Sequence, residues 1–186
     1  MRIVGILLAA GAGTRFGGAK LLVPLRQGTV DTAAGTPLGV AACRHVVAAL
    51  PETIAVVRPG DTELTEALAR EGARTVACAR ADDGMGASLA CGVRASADAE
   101  GWVVALADMP WIRSTTIRSV AVALANGADI AAPFVDGQRG HPVGFSRAHR
   151  DALLAAHRQA IRAIEVDDRG VTRDVDREAD LGLPPA

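Results

Sequence analysis

Hydrophobic residues along the chain follow two alternating patterns. Short runs in which almost every residue is apolar predict strands buried on both faces, as in a parallel sheet covered by helices. These runs are residues 3–9, 53–57, 75–78, 102–107 and 130–133. Stretches with a helical period lie between them, at residues 38–50, 63–71, 86–94 and 115–125. The alternation predicts an α/β fold: a single domain over residues 1–186 built on a Rossmann-like, doubly wound, mostly parallel sheet.

The pattern changes after residue 133. A turn at residues 136–140 separates two extended pieces, and residues 147–160 have a helical pattern. Residues 163–166 and 171–175 flank a polar turn, so we predict a hairpin there. These segments predict a small antiparallel addition to the parallel sheet.

Composition limits the classes of function. The 186 residues, 49% of them hydrophobic, suffice for a sizeable core. No stretch reaches the roughly 18 uncharged apolar residues of a membrane span, and a glycine loop rather than a cleavage site follows the first apolar run. We therefore expect a cytoplasmic protein without a membrane partner. The net charge of −1 and the scattered basic residues disfavour nucleic acid, because each neutralised phosphate needs a cation.

The loop LAAGAGTRFGGAK, at positions 8–20, carries most of the chemical information. It is not a Walker A loop, because Lys20 follows Ala19 and is not followed by Ser or Thr. It is a weak dinucleotide fingerprint, because Gly17 falls one position late and the second strand ends without an acidic residue.

The same loop fits a nucleoside triphosphate better. Arg15 and Lys20 place two permanent cations five residues apart, and guanidinium and ammonium groups both suit phosphate oxygens. Small residues at its start leave room for a base and ribose against main-chain amides: Ala9, Ala10, Gly11 and Gly13. The alternative is a surface turn with two solvated charges.

The loop matches L-x-A-G-x-x-x-R-[FM]-G-x-x-K and resembles the opening of the MobA-like nucleotidyltransferases. GMGASLACGV, ALADMPWI, RGHPVGF and VDDRGVTRDVDREADL follow in that family's order, over nearly the full length. The whole chain resembles the molybdenum cofactor cytidylyltransferase branch. The resemblance implies a nucleotide-diphospho-sugar transferase fold and Mg²⁺-dependent transfer of CMP from CTP to the phosphate of molybdenum cofactor, releasing pyrophosphate. L-A-A-G, rather than L-A-G-G, implies CTP rather than GTP.

The resemblance also implies roles for individual residues. Arg15 and Lys20 would neutralise the phosphates, and Asp108 would complete the catalytic group by holding magnesium. Asp108 follows an apolar run, which puts it at a strand's carboxyl end, where α/β sheets open their ligand crevice. A structural role as a loop or capping residue is the alternative.

Asp176 is the candidate for a second magnesium ligand. Asp174 and Asp176 flank Val175 on a segment that we take as extended, so their side chains face the same side. The competing interpretation is an N-cap for a short terminal helix.

Two further motifs supply candidate binding residues. Gly84 allows close backbone approach, and Ser88 either contacts the nucleotide or caps the following helix. His141 lies in a loop whose counterpart in the family borders the second substrate, so we expect a contact with the pterin phosphate. It is not needed as a general base, because a phosphomonoester is already ionised at neutral pH.

One family segment, L-x-G-D-x-G-A-R, is missing after the predicted helix at residues 147–160, which bears on the molybdopterin side of the site.

The expected partners are CTP or GTP, a molybdopterin-type cofactor and a recipient molybdenum hydroxylase. Alternative functions are transfer to a sugar or polyol phosphate and non-catalytic carriage of the cofactor. A nicotinamide or flavin oxidoreductase is the least favoured.

Overall fold

The computed structural model describes residues 1–11, 13, 19–155 and 162–182. Eight strands form one sheet in this part of the chain. They are β1 Ile3–Leu8, β2 Thr53–Val57, β3 Arg74–Ala77, β4 Gly101–Leu106, β5 Ile130–Val135, β6 Gln138–Arg139, β7 Val143–Ser146 and β8 Arg162–Glu165. The helices are α1 Leu38–Ala49, α2 Thr62–Arg70, α3 Met85–Ala95, α4 Ser114–Ala125 and α5 Arg150–Ala155. None of these helices is long and apolar enough to cross a membrane.

The strand order is β3-β2-β1-β4-β7-β5-β6, with β8 beside β5. β1 pairs in parallel with both β2 and β4, whereas β7 is antiparallel to both β4 and β5. This confirms the predicted doubly wound, mostly parallel sheet with an antiparallel part. Because the chain continues from β1 to one side and returns as β4 on the other, the crevice above β1 and β4 is a topological switch point.

Helices cover both faces of the sheet because the central strands are apolar on both sides. Leu7 packs in one core cluster with residues of α1, α2 and α4. Val4 and Ile6 pack in a second cluster with residues of α3 and α5. Burying such side chains contributes about 1.5–3 kcal/mol each. The fully buried Trp102 keeps its polar atom paired, since its indole N–H donates to the Ser96 hydroxyl at 2.9 Å.

The predicted hairpin at residues 163–166 and 171–175 is wrong. Its first half is β8, which pairs in parallel with β5. Its second half leaves the sheet as the 3₁₀ turn Arg169–Thr172. The cause is the buried carboxylate of Asp168, which is hydrogen-bonded to the start of α4 and draws the chain away from β8. Tertiary contacts thus override the hairpin that the local pattern predicts.

The helix predicted at residues 147–160 is shorter in its described part. A 3₁₀ turn occupies Arg147–His149, and α5 covers Arg150–Ala155. The rest of the predicted helix, residues 156–160, lies outside the described residues.

Candidate active site

A cleft of about 710 Å³ opens at the carboxyl ends of the parallel strands. It brings together most of the residues singled out from the sequence: Ala9, Ala10, Gly11, Gly13, Lys20, Gly84, Ser88 and Asp108. Arg15 lies outside the described residues. The elements at the rim follow β1, β2, β3 and β4, so the position of the cleft follows directly from the parallel arrangement of these strands.

Lys20 is the meeting point of two acidic side chains. Its Nζ lies 3.0 Å from an Asp108 carboxylate oxygen and 3.9 Å from an Asp176 carboxylate oxygen. The Lys20 side chain is 11% exposed and that of Asp108 is 29% exposed. Two residues 68 positions apart in sequence, Asp108 and Asp176, therefore converge on a single cationic group.

The donor set around Lys20 suits a hard divalent cation. Carboxylate oxygens are the ligands that magnesium takes in proteins, and it commonly uses one or two of them together with substrate phosphates and water. No group of three His, Cys, Asp or Glu side chains in the described ranges is arranged to hold a metal. Asp108 and Asp176 are the two carboxylates that lie beside Lys20.

The backbone explains why Asp176 reaches this site. The Val175 N–H donates to the Asp108 carbonyl at 2.9 Å, and the Val175 side chain is fully buried. Asp176 therefore follows a residue that is fixed to the loop after β4. Asp174 is exposed, whereas Asp176 lies 3.9 Å from the Lys20 Nζ.

Asp168, which the sequence analysis did not select, anchors the same segment. Its buried carboxylate accepts hydrogen bonds from the Thr116 hydroxyl at 2.6 Å, the Arg113 N–H at 3.0 Å and the Gly170 N–H at 3.1 Å. A negative charge at the start of α4 also complements the helix dipole. The Asp-x-Gly spacing signals the local turn, but nothing local in the sequence signals its burial beneath α4.

Part of the cleft wall is built from small residues. Ala9 and Ala10 are buried, and the Ala9 N–H continues the parallel pairing to the Val56 carbonyl at 2.9 Å. Gly84 has φ of 105°, a conformation that strongly favours glycine, and it precedes α3 without side-chain capping. Ser88 lies within α3 and lines the cleft, so the capping interpretation of Ser88 is wrong.

Arg58 was also missed as a site residue. It is the first polar residue after β2, at the place where a dinucleotide-binding fold would carry an acidic residue. One of its terminal nitrogens donates to the Ala10 carbonyl at 3.1 Å, and the other is bound to the Asp82 carboxylate. All three residues line the cleft. A polar residue at the carboxyl end of a central strand was the available signal.

His141 is absent from the residues that line the cleft. Its backbone N–H donates to the Val171 carbonyl at 2.6 Å, which ties its loop to the segment that carries Asp176. Burial lowers the pKa of His141, and Arg139 lowers it further, against the opposing charges of Asp108 and Asp174. The imidazole is therefore neutral at neutral pH, yet it lies within electrostatic range of Asp108.

The chain belongs to the family of the MobA-like NTP transferase domain, whose model matches residues 5–172. The protein is therefore a nucleotidyltransferase.

A relative from Paenarthrobacter nicotinovorans is called nicotine blue oxidoreductase. It is 31% identical over 161 residues, which cover 82% of this chain and 75% of the relative. This identity over most of the chain supports the same family membership.

Solved structures share the fold. Rv0371c from Mycobacterium tuberculosis H37Rv is 27% identical with a TM-score of 0.78, over 97% of this chain and 95% of that one. Its complex with manganese has a TM-score of 0.73 at 26% identity, over 97% and 96% of the two chains. The molybdopterin-guanine dinucleotide biosynthesis protein A from Archaeoglobus fulgidus has a TM-score of 0.65 over 96% and 94% of the chains, and at 19% identity it shares the fold alone.

Proposed function

We propose that the whole chain acts as one domain that transfers CMP from CTP to the phosphate of molybdenum cofactor and releases pyrophosphate. The observation that carries this proposal is the convergence of Asp108 and Asp176 on Lys20 beside the glycine loop. The cleft, at about 710 Å³, is within the range of roughly 300–1,000 Å³ that is usual for small-molecule sites.

The reaction requires little covalent participation from the protein. An oxygen of the acceptor phosphate attacks the α-phosphorus of CTP, the new P–O bond forms, and the bond to the bridging oxygen of pyrophosphate breaks. Negative charge grows on the phosphate oxygens in the transition state. The cationic side chains of Lys20 and Arg15 stabilise this negative charge. The acceptor phosphate needs no general base because it is already ionised.

Asp108 and Asp176 would hold a magnesium ion that neutralises charge on the triphosphate and acts as a Lewis acid. Lys20 lies beside both carboxylates and balances part of their charge. With a nucleotide bound, the Lys20 ammonium would interact with the phosphates, and Asp108 and Asp176 would be available to hold the cation. The related Rv0371c, which was solved as a complex with manganese, supports the use of a divalent cation.

The remaining selected residues would bind the two substrates. Ala9, Ala10, Gly11, Gly13 and Gly84 would form the nucleotide-side surface, and Ser88 would donate a hydrogen bond to the ribose or base. His141 would contact the acceptor phosphate from the neighbouring loop. The product would pass to a molybdenum hydroxylase.

The proposal is tested by pyrophosphate release from CTP or GTP with magnesium and molybdenum cofactor, followed by detection of the dinucleotide product. Pyrophosphate and product with CTP are expected, and Asp108→Asn is expected to abolish both. Asp151→Asn, which removes a carboxylate that is 95% exposed, is the matched control and should retain activity. No product with either nucleotide would contradict the proposal, and product only with a sugar or polyol phosphate would replace its acceptor.

The name of the 31% identical relative, nicotine blue oxidoreductase, provides a second candidate function. Under this alternative the protein would be an oxidoreductase. Oxidation of NADH or NADPH with a quinone-type dye, followed at 340 nm, distinguishes the two. Turnover that survives Asp108→Asn and needs no triphosphate would favour the oxidoreductase.

A further inference from the structure

Arg58 bridges two walls of the cleft. It follows β2, and its guanidinium joins the Ala10 carbonyl, at 3.1 Å, to the Asp82 carboxylate in the turn before α3. Its side chain is 28% exposed. β2 and β4 lie on opposite sides of β1, so Arg58, which follows β2, is separated from Asp108, which follows β4, by the strand between them. Arg58 is therefore at the end of the cleft away from Lys20 and Asp108.

Contacts with the residues that the structure describes leave donors of the guanidinium available for a ligand. The guanidinium carries five N–H groups in a fixed plane, of which these two contacts use two. The two existing contacts hold that plane in place, which reduces the entropy lost when a ligand binds. A rigid, permanently charged donor group at this end of a nucleotide cleft faces the part of the ligand that is furthest from the phosphates, the base.

We propose that Arg58 recognises the base by donating hydrogen bonds to the adjacent acceptors N3 and O2 of cytosine. Asp82 is the positioning residue that orients the Arg58 guanidinium. This inference rests on the proposed function. Uracil has the same shape, but its N3 carries a hydrogen. An Arg58 N–H would therefore face another N–H donor instead of an acceptor. Arg58 thereby selects CTP over UTP, and a paired contact of this kind is typically worth tenfold or more in discrimination.

Calorimetric titration with CTP, UTP and GTP in the presence of magnesium tests the inference without the acceptor. The parent protein should bind CTP about tenfold or more tightly than UTP. Arg58→Met and Arg58→Lys should bring the ratio of the two dissociation constants close to one, because neither side chain offers a planar pair of donors. Asp82→Asn should lower the ratio by a smaller factor.

Arg80→Met is the matched control. Arg80 pairs with Asp83 in the same turn and does not line the cleft, so its loss should leave the ratio unchanged. Thermal unfolding of each variant verifies the fold, and Arg58→Lys keeps the positive charge if Arg58→Met proves unstable.

Three results would overturn this inference and leave the proposed function standing. They are a parent that binds CTP and UTP equally, a parent that prefers GTP, and Arg58 variants that lower the affinities for CTP and UTP by the same factor. The last would mean that Arg58 supports the cleft or the phosphates rather than the base. A parent that binds none of these nucleotides would overturn both this inference and the proposed function.

Discussion

Lys20 is the only lysine in the chain, and the other nineteen basic residues are arginines. An ammonium is a compact point charge, whereas a guanidinium is a wide planar fork. At a position 3.0 Å from Asp108 and 3.9 Å from Asp176, the compact cation can turn between carboxylates and phosphates. The choice of lysine here, in a chain that otherwise uses arginine, agrees with a function specific to this position.

Replacing Lys20 tests that function. We expect Lys20→Met to lower kcat by about a hundred- to a thousand-fold, the usual cost of losing one preorganised contact with developing charge. Lys20→Arg should recover only a small part of the rate, because the fork does not fit between the two carboxylates. Steady-state kinetics with saturating CTP measures both, and full activity in Lys20→Arg would contradict this account of the site.

Chemical labelling gives a second test of the same residue. Lys20 carries the one side-chain amine in this sequence, and the N-terminal amine of the protein used serves as the internal control. Magnesium and CTP should protect Lys20 and leave labelling of the N-terminus unchanged, as measured by intact and peptide mass spectrometry. Equal labelling of Lys20 with and without nucleotide would exclude its contact with the phosphates.

Arg58 and Asp168 mark the limit of prediction at this scale. Lys20 and Asp108 were predictable because each belongs to a motif whose chemistry is local. Arg58 gains its importance from Ala10 and Asp82, which are distant in sequence. Asp168 gains its importance from burial beneath α4, which no local pattern encodes.

The segment at residues 167–176 is the element that completes the site. It leaves the sheet after β8, is fixed by Asp168 to the start of α4, and places Val175 against the loop that carries Asp108. The apolar runs predicted the central strands well, because strands buried on both faces have a simple pattern. The hairpin prediction failed because two short extended segments each found a better partner far away in sequence.

Asp168→Ala should destabilise the protein by about 2–4 kcal/mol, because it leaves the buried Thr116 hydroxyl and the Arg113 N–H without their acceptor. It should also lower kcat, since Asp176 loses its anchored approach to Lys20. Denaturant unfolding and steady-state kinetics measure the two effects. Asp167→Ala removes an exposed carboxylate one residue away and should change neither.

At the scale of the whole molecule, helices cover both faces of the sheet, and two histidines are shielded from solvent, of which His45 is buried and His141 is partly buried. His45 is buried in α1, where its Nε2 lies 3.0 Å from the Thr29 hydroxyl. Burial lowers the pKa of His45, and it lowers the pKa of His141 as well. The folded protein therefore takes up protons on these groups at lower pH than the unfolded chain does.

Stability should consequently fall as the solution is acidified. Unfolded histidines protonate near pH 6.5, so below that pH the unfolded state binds more protons and the free energy of unfolding decreases. The slope is about 1.4 kcal/mol per pH unit for each proton taken up. Thermal unfolding between pH 7.5 and 5.5 should show this loss, and His45→Gln should reduce the slope. An equal slope in the variant, or a stability that rises on acidification, would contradict the assignment.

The position of the label after reaction with CTP tests the central claim most directly. The protein is incubated with magnesium, molybdenum cofactor and CTP carrying ³²P at either the α- or the γ-phosphate, and the products are separated. We predict that the α-label appears in the dinucleotide product and the γ-label in pyrophosphate, with neither transfer in Asp108→Asn. Transfer of the γ-label to the acceptor, or retention of both labels in CTP, would contradict nucleotidyl transfer at this site.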